Sequence, residues 1–263
     1  MKIAISGKGG VGKTTVAAIL ALLLVREKNN VLVVDADPDA NLAAALSFPL
    51  DIRKKIIPIS GQKKLIEERT ETKIRQYGQI FKINPDVSDV AEKFAFRYNG
   101  ISLIVIGAIE NAGSGCACPE SVFMRTLISD LILYKNEVLI IDFEAGIEHL
   151  GRATAKGVDA MIIVVEPGQR SIDCAEKIIE MSKEMGIKNI YLIANKIVDN
   201  EDEKFIRNRF PGEAVIGCIP FLESIRNADK ADTGVMEALS QNELKEFNKV
   251  LDVVWCTKRY EIY

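Results

Sequence analysis

Near the N-terminus, Gly7-Lys8-Gly9-Gly10-Val11-Gly12-Lys13-Thr14-Thr15 combines glycines, a lysine and a hydroxyl at the spacing that phosphate chemistry needs. Glycines at these positions let backbone N–H groups turn inward around phosphates, and a helix starting here adds its positive dipole end. Lys13 is placed to reach the β- and γ-phosphates, and the Thr14 hydroxyl to ligate Mg²⁺. Val138-Leu139-Ile140-Ile141-Asp142 follows far along the chain: four apolar residues bury a strand and deliver a carboxylate at its end, close to that Mg²⁺. Asp35 ends a second apolar run, with Asp37-Pro38-Asp39 beyond it, and strand ends of an open parallel sheet are where ligands bind. Asp39 reads as the N-cap of the next helix. The pair Cys116 and Cys118, in Gly115-Cys116-Ala117-Cys118-Pro119-Glu120, is a candidate metal site. One C-x-C supplies two thiolates, whereas a tetrahedral soft site takes four ligands.

Positioning these groups calls for a mostly parallel sheet buried on both faces, because continuous apolar runs alternate with helical patterns. Strands are expected at Lys2–Ser6, Val31–Asp35, Ile101–Gly107, Val138–Asp142, Ala160–Val165, Tyr191–Ala194 and Val215–Ile219. Helices are expected at Val16–Lys28, Val122–Tyr134, Ile172–Met185, Glu201–Arg209 and Glu237–Cys256. The polar segment 51–100 reads as an insertion carrying a helix and a loop or hairpin. No linker divides the chain, so residues 1–263 read as a single domain.

The chain has 263 residues, 48% hydrophobic and 27% charged, enough for one large α/β core. A net charge of −3 without a basic stripe argues against nucleic acid as a partner, and the lack of a dense Lys/Arg cluster argues against a membrane surface. The apolar run Val16–Val25 is too short to span a bilayer and ends in Arg26-Glu27-Lys28 without a cleavage site, so it reads as a buried helix of a cytoplasmic protein. Five cysteines, an odd number, argue against a disulfide framework, and Cys174, Cys218 and Cys256 read as small core residues. His149 is the sole histidine and reads as a hydrogen-bonded structural or switch residue.

The KGGVGKTT segment resembles the deviant Walker A ATPases, the family of MinD, ParA, the arsenite-pump ATPase and the nitrogenase iron protein. That resemblance implies a three-layer P-loop NTPase fold of the SIMIBI class, α/β with a mostly parallel central sheet flanked by helices. It implies that Lys8 crosses a dimer interface to the phosphates held by the partner, the arginine-finger logic carried by a lysine. It also implies that Asp37 orients the attacking water and that Asp35 supports the Mg²⁺ shell. Gly146 would offer its N–H to the γ-phosphate, and Asn195 and the Pro220-Phe221 loop would flank the adenine. Gly9, Gly10, Val11, Gly12 and Thr15 complete the expected nucleotide cradle. Glu144-Ala145 stands where much of the family has two prolines.

GKGGVGKTTVAA, VVDADPDANLA, LIEERT, GSGCACPE, DFEAGIEHLGR and VVEPGQRSID together resemble the CooC-type nickel-insertion ATPases, from the N-terminus to about Asp173. The resemblance implies a homodimer closed by ATP, whose two C-x-C pairs supply four sulfurs to Ni²⁺, with Zn²⁺ as a competitor. The client would be apo carbon monoxide dehydrogenase, or acetyl-CoA synthase for a sister group. An iron–sulfur carrier and a MinD/ParA-like positioning ATPase are the alternatives from other classes.

Overall fold

The computed structural model describes residues 1–73, 80–107, 118–134, 138–144 and 152–260. In chain order the first elements are β1 (Lys2–Ser6), α1 (Lys13–Arg26), β2 (Val31–Ala36), α2 (Leu42–Ala45) and α3 (Leu50–Arg53). A 3₁₀ turn at Ile59–Gly61 is followed by α4 (Lys63–Thr70), α5 (Val90–Phe94), β3 (Phe96–Tyr98), β4 (Ile101–Val105), α6 (Pro119–Tyr134) and β5 (Val138–Phe143). Next come α7 (Arg152–Ala155), β6 (Ala160–Val165), α8 (Gln169–Met185), β7 (Ile190–Ile197), α9 (Asn200–Arg209), β8 (Ala214–Pro220), α10 (Glu223–Ala231) and α11 (Gln241–Tyr260).

The strands form one eight-stranded sheet ordered β3-β4-β2-β5-β1-β6-β7-β8. Every pairing is parallel except β3 with β4, an antiparallel hairpin that closes one edge. Side chains alternate between the two faces, as the period of 2 requires. Ile3, Ile5, Val33, Ile140, Ile162 and Val164 face a core shared with α1 and α11. Ala4, Val34, Leu139, Ile141, Phe143, Ile163 and Val165 face a second core shared with α6 and α8. This is the three-layer α/β architecture expected from the uninterrupted apolar strands. The run Val16–Leu24 lies in α1, almost wholly buried under the sheet.

Three expectations are corrected. Among its described residues the segment 51–100 carries most of α3, the 3₁₀ turn, α4, α5 and β3, which pairs with β4 just beyond it. The last helix runs Gln241–Tyr260 rather than Glu237–Cys256, because Ser240 donates its N–H to the Glu243 carboxylate and accepts the Glu243 N–H in return, a reciprocal capping pair that fixes the start. A further helix, α10, lies between β8 and α11. No helix among the described residues is long and apolar enough to cross a membrane.

Candidate functional site

The loop between β1 and α1 depends on glycine where its backbone takes left-handed angles. Gly7 (φ +149°) would place a Cβ 2.4 Å from the Val164 carbonyl, and Gly12 (φ +98°) would place one 2.4 Å from the Asn195 amide nitrogen. Val11 is fully buried and anchors the loop to the core, while its N–H closes a turn on the Lys8 carbonyl at 3.4 Å. Gly12 is the N-cap of α1 and makes no side-chain cap, and the first turn has no acidic residue. The first-turn N–H groups thus have no helical partners, an arrangement suited to an anion. Lys13 is 5% exposed, with its Nζ 3.4 Å from the Lys8 carbonyl.

Strand register brings the carboxylates together. Asp142 is level with Ile5 on one side and with Asp35 on the other. Asp142 is fully buried, and its Oδ2 accepts the Thr14 hydroxyl at 2.6 Å. Its Oδ1 has no hydrogen-bond partner among the described residues. Burial pushes Asp142 up to about 7; the Thr14 hydrogen bond opposes this, and the charge of Asp35 adds to it. Asp35 rises to about 6 through burial, against the N–H groups of Leu42 and Asp37 that hold its two oxygens at 3.0 and 3.2 Å. A buried carboxylate oxygen without a donor is costly, and a hard divalent cation relieves that cost. The Thr14–Asp142 pair therefore fits Mg²⁺.

The loop after β2 corrects the reading of Asp39. Asn41 precedes α2 without a side-chain cap, and Asp35 satisfies the Leu42 N–H from the strand end. Asp39 instead donates its N–H to Asp37 Oδ1 at 2.9 Å, which fixes the orientation of the Asp37 side chain at the cleft. Burial favours this arrangement, because Asp35 lies in the core and needs donors more than an exposed Asp39 does.

The cleft has a volume of about 750 Å³ and spans from Gly9, Gly10, Gly12, Lys13, Thr14 and Thr15 to Asn195, Pro220 and Phe221. It thus joins, in one place, most of the nucleotide residues expected from the sequence. Its far wall also includes Ile225, Arg226 and Asp229 of α10, which the sequence reading missed. The available signal was Leu222, Ile225 and Ala228 at helical spacing, with Glu223 in the first turn and Lys230 in the last. Asp232, just past α10, is held by a bidentate pair with Arg53 at 2.8 and 2.6 Å. Lys8 lies on the rim, its Nζ 3.9 Å from Glu166 Oε1.

Cys118 directly precedes α6. Its Sγ donates toward Ser121 Oγ at 3.1 Å and accepts the Ser121 N–H at 3.4 Å, which places the sulfur at a helix N-terminus. Cys116, Gly146 and His149 lie outside the described residues. Among the described residues no group of three or more His, Cys, Asp or Glu is placed to hold a metal. Cys174 and Cys218 are half-buried against the second core, and burial pushes the Cys218 thiol up to about 11.

A glycine-rich loop after β1, a buried carboxylate on β5 and a cleft that extends to the ends of β7 and β8 are the parts of a Mg-nucleotide-hydrolysing P-loop protein. Residues 2–235 match the model of the CobQ/CobB/MinD/ParA nucleotide binding domain, and the chain belongs to that family of P-loop ATPases. Within the family its similarity is of the CooC type. It is 44% identical over 231 residues to the carbon monoxide dehydrogenase accessory protein CooC of Rhodospirillum rubrum, covering 88% of each chain. It is also 41% identical over 257 residues to an uncharacterized ATP-binding protein of Methanocaldococcus jannaschii, covering 97% of each. Among solved structures, MinD with Mg-ADP from Pyrococcus horikoshii superposes with a TM-score of 0.66 at 20% identity, over 96% of this chain and 94% of that one. The MinC:MinD complex of Aquifex aeolicus gives 0.67 at 19%, over 95% and 94%. At such identities the structures speak for the fold.

Proposed function

We propose that this ATPase delivers nickel to apo carbon monoxide dehydrogenase, using ATP to close two copies of the chain around the ion. The observation that carries the reading is the CooC-type similarity, which spans 88% of a chain that also has the Cys116-Ala117-Cys118 pair.

In this reading the N–H groups of the Gly9–Thr15 loop and the α1 N-terminus hold the phosphates, and Lys13 neutralises the charge that develops on the transferred group. Thr14 and Asp142 would hold Mg²⁺, which would supply charge neutralisation to the phosphates. Asp35 keeps the loop after β2 in place, so that Asp37, oriented by the Asp39 N–H, faces an attacking water. Asn195, Pro220 and Phe221 flank the base, and Gly146 answers the γ-phosphate. Lys8 leaves Glu166 and reaches the phosphates of the partner chain. Its bond there replaces a half-exposed ion pair worth at most about 1 kcal/mol, so the exchange meets little resistance.

Nickel is the cargo. Cys116 and Cys118 from each copy supply four sulfurs, with Zn²⁺ competing for the same thiolates. When hydrolysis opens the dimer the sulfurs separate, affinity falls, and the ion passes to the apo-enzyme. Delivery to acetyl-CoA synthase would use the same residues and differ only in the client.

The test is equilibrium dialysis against Ni²⁺ with a non-hydrolysable ATP analogue. The expected result is one ion per two chains, lost in Cys116→Ala and in Cys118→Ala. Unchanged binding in both variants overturns nickel delivery. Sedimentation showing single chains with analogue and Ni²⁺ present overturns closure of the dimer.

A further inference from the structure

At the end of β7 two neighbouring side chains reach the same loop. Asn195 donates its amide N–H to the Val11 carbonyl at 2.7 Å, and Lys196 donates from Nζ to the Gly10 carbonyl at 2.5 Å. Consecutive residues of a strand send their side chains to opposite faces, so this convergence needs a cause. The cause is local. Lys196 has a left-handed backbone, φ +59°, and the register against β8 breaks between Ala194 and Ile197. Such a backbone at a non-glycine residue costs on the order of 1–3 kcal/mol and persists only where its surroundings enforce it.

Glu166, directly after β6, meets the ammonium that this backbone delivers. Its Oε2 takes the Lys196 Nζ at 2.9 Å, and its N–H donates to the hydroxyl of buried Ser171 at 3.1 Å. Its Oε1 faces Lys8 at 3.9 Å. Glu166, its backbone tied to the start of α8, therefore places one carboxylate between Lys8 and Lys196. In a planar trans peptide the N–H points opposite to the C=O, so pinning the Gly10 and Val11 carbonyls fixes the directions of the Val11 and Gly12 N–H groups. The close fit of Asn195 over Gly12 closes the clip.

We propose that Glu166 is a positioning residue for nucleotide binding: by locking Lys196 onto Gly10 it holds the phosphate loop in its binding shape before nucleotide arrives. The inference rests on the reading of this cleft as the nucleotide site and is independent of nickel and of the dimer. A loop held in advance binds ADP and ATP better by the same factor, because the saving is made on the shared part of the ligand.

The experiment measures the affinity of the full chain for fluorescently labelled ADP and ATP with Mg²⁺, at protein concentrations low enough to keep the chain monomeric. Lys13→Ala serves as the control for the site itself. Glu166→Gln is expected to weaken both nucleotides roughly threefold, in keeping with a half-exposed pair. Lys196→Met, which also loses the Gly10 bond, is expected to weaken them about five- to tenfold. The double variant should match Lys196→Met, since the two act as one unit. Circular dichroism melting identifies any variant that fails to fold, and Lys196→Met carries the test if Glu166→Gln does. Lys13→Ala weakening binding while Glu166→Gln and Lys196→Met do not overturns the inference alone. Additive losses in the double variant also overturn it. An effect of Glu166→Gln that vanishes in a Lys8→Ala background transfers its role to Lys8 and overturns it too. If Lys13→Ala binds normally, the reading of the site itself fails.

Discussion

The two walls of the cleft are built differently. The phosphate wall sits on β1 and β5 in the centre of the sheet, where Lys13, Asp35 and Asp142 are 5%, 1% and 0% exposed. The wall proposed for the base sits on β7, β8 and α10 toward one edge, where Phe221 is 44% exposed and α10 has one buried residue, Ala228. In the proposed site, charge is handled where the fold is driest, since electrostatic groups gain most from a site that water does not enter. Contacts to a flat base tolerate a softer wall.

The steepest break in this contrast should come from Lys13→Ala. ATP turnover is expected to fall on the order of 100-fold or more, the scale for losing one preorganised cation or donor in a dry site. Asp142→Asn should cost roughly 100-fold in Mg-dependent turnover, at least what losing a supporting group of a metal site costs. Steady-state phosphate release checks both, and a loss under tenfold in either would erase the distinction between the walls.

The same two buried carboxylates should make the nucleotide-free protein sensitive to pH. Asp35 and Asp142 titrate near 6 and 7 when folded and near 3.8 when unfolded. Between those values the folded state holds protons that the unfolded state has lost, so stability must fall as pH rises from about 4 to 7. The expected loss between pH 5 and 8 is about 4 kcal/mol, read by denaturant melts in EDTA, and Asp142→Asn should remove more than half of it. Asp89 is held down to about 2 by hydrogen bonds from Lys93 and Arg69, so it titrates below that window. The smallest effect belongs to the soft wall. Phe221→Ala should raise KM for ATP only about two- to fivefold, roughly the worth of one half-exposed aromatic contact, and a hundredfold rise would make this wall as demanding as the other.

The phosphate wall was legible in the sequence and the base wall only partly so. The glycine–lysine–threonine pattern fixes its own local geometry, and apolar runs such as Val138–Ile141 identify buried strands by composition alone. The meeting of Asp35 with Asp142 depends on β2 lying beside β5, an order that no local pattern encodes. Asp39 was misread because Asp35, Asp37 and Asp39 offer similar capping chemistry, and only burial decides which one receives the Leu42 N–H. Helix α10 escaped because it is nine residues long and mostly polar. The contact of Lys196 with the phosphate loop was not legible, since it depends on a left-handed backbone angle that sequence spacing does not announce.

The placement of β1 also sets a timetable for synthesis. β1 leaves the ribosome before β5 and β6, its only strand partners, so Lys2 waits for Leu139 and Ile3 for Ala160. Until β5 and β6 have emerged, the phosphate loop has neither Asp142 beside Thr14 nor the β6 backbone beneath Gly7. A nascent or prematurely terminated chain ending before Ala160 therefore lacks a working cradle, and nucleotide can reward only chains that have been completed well past that point.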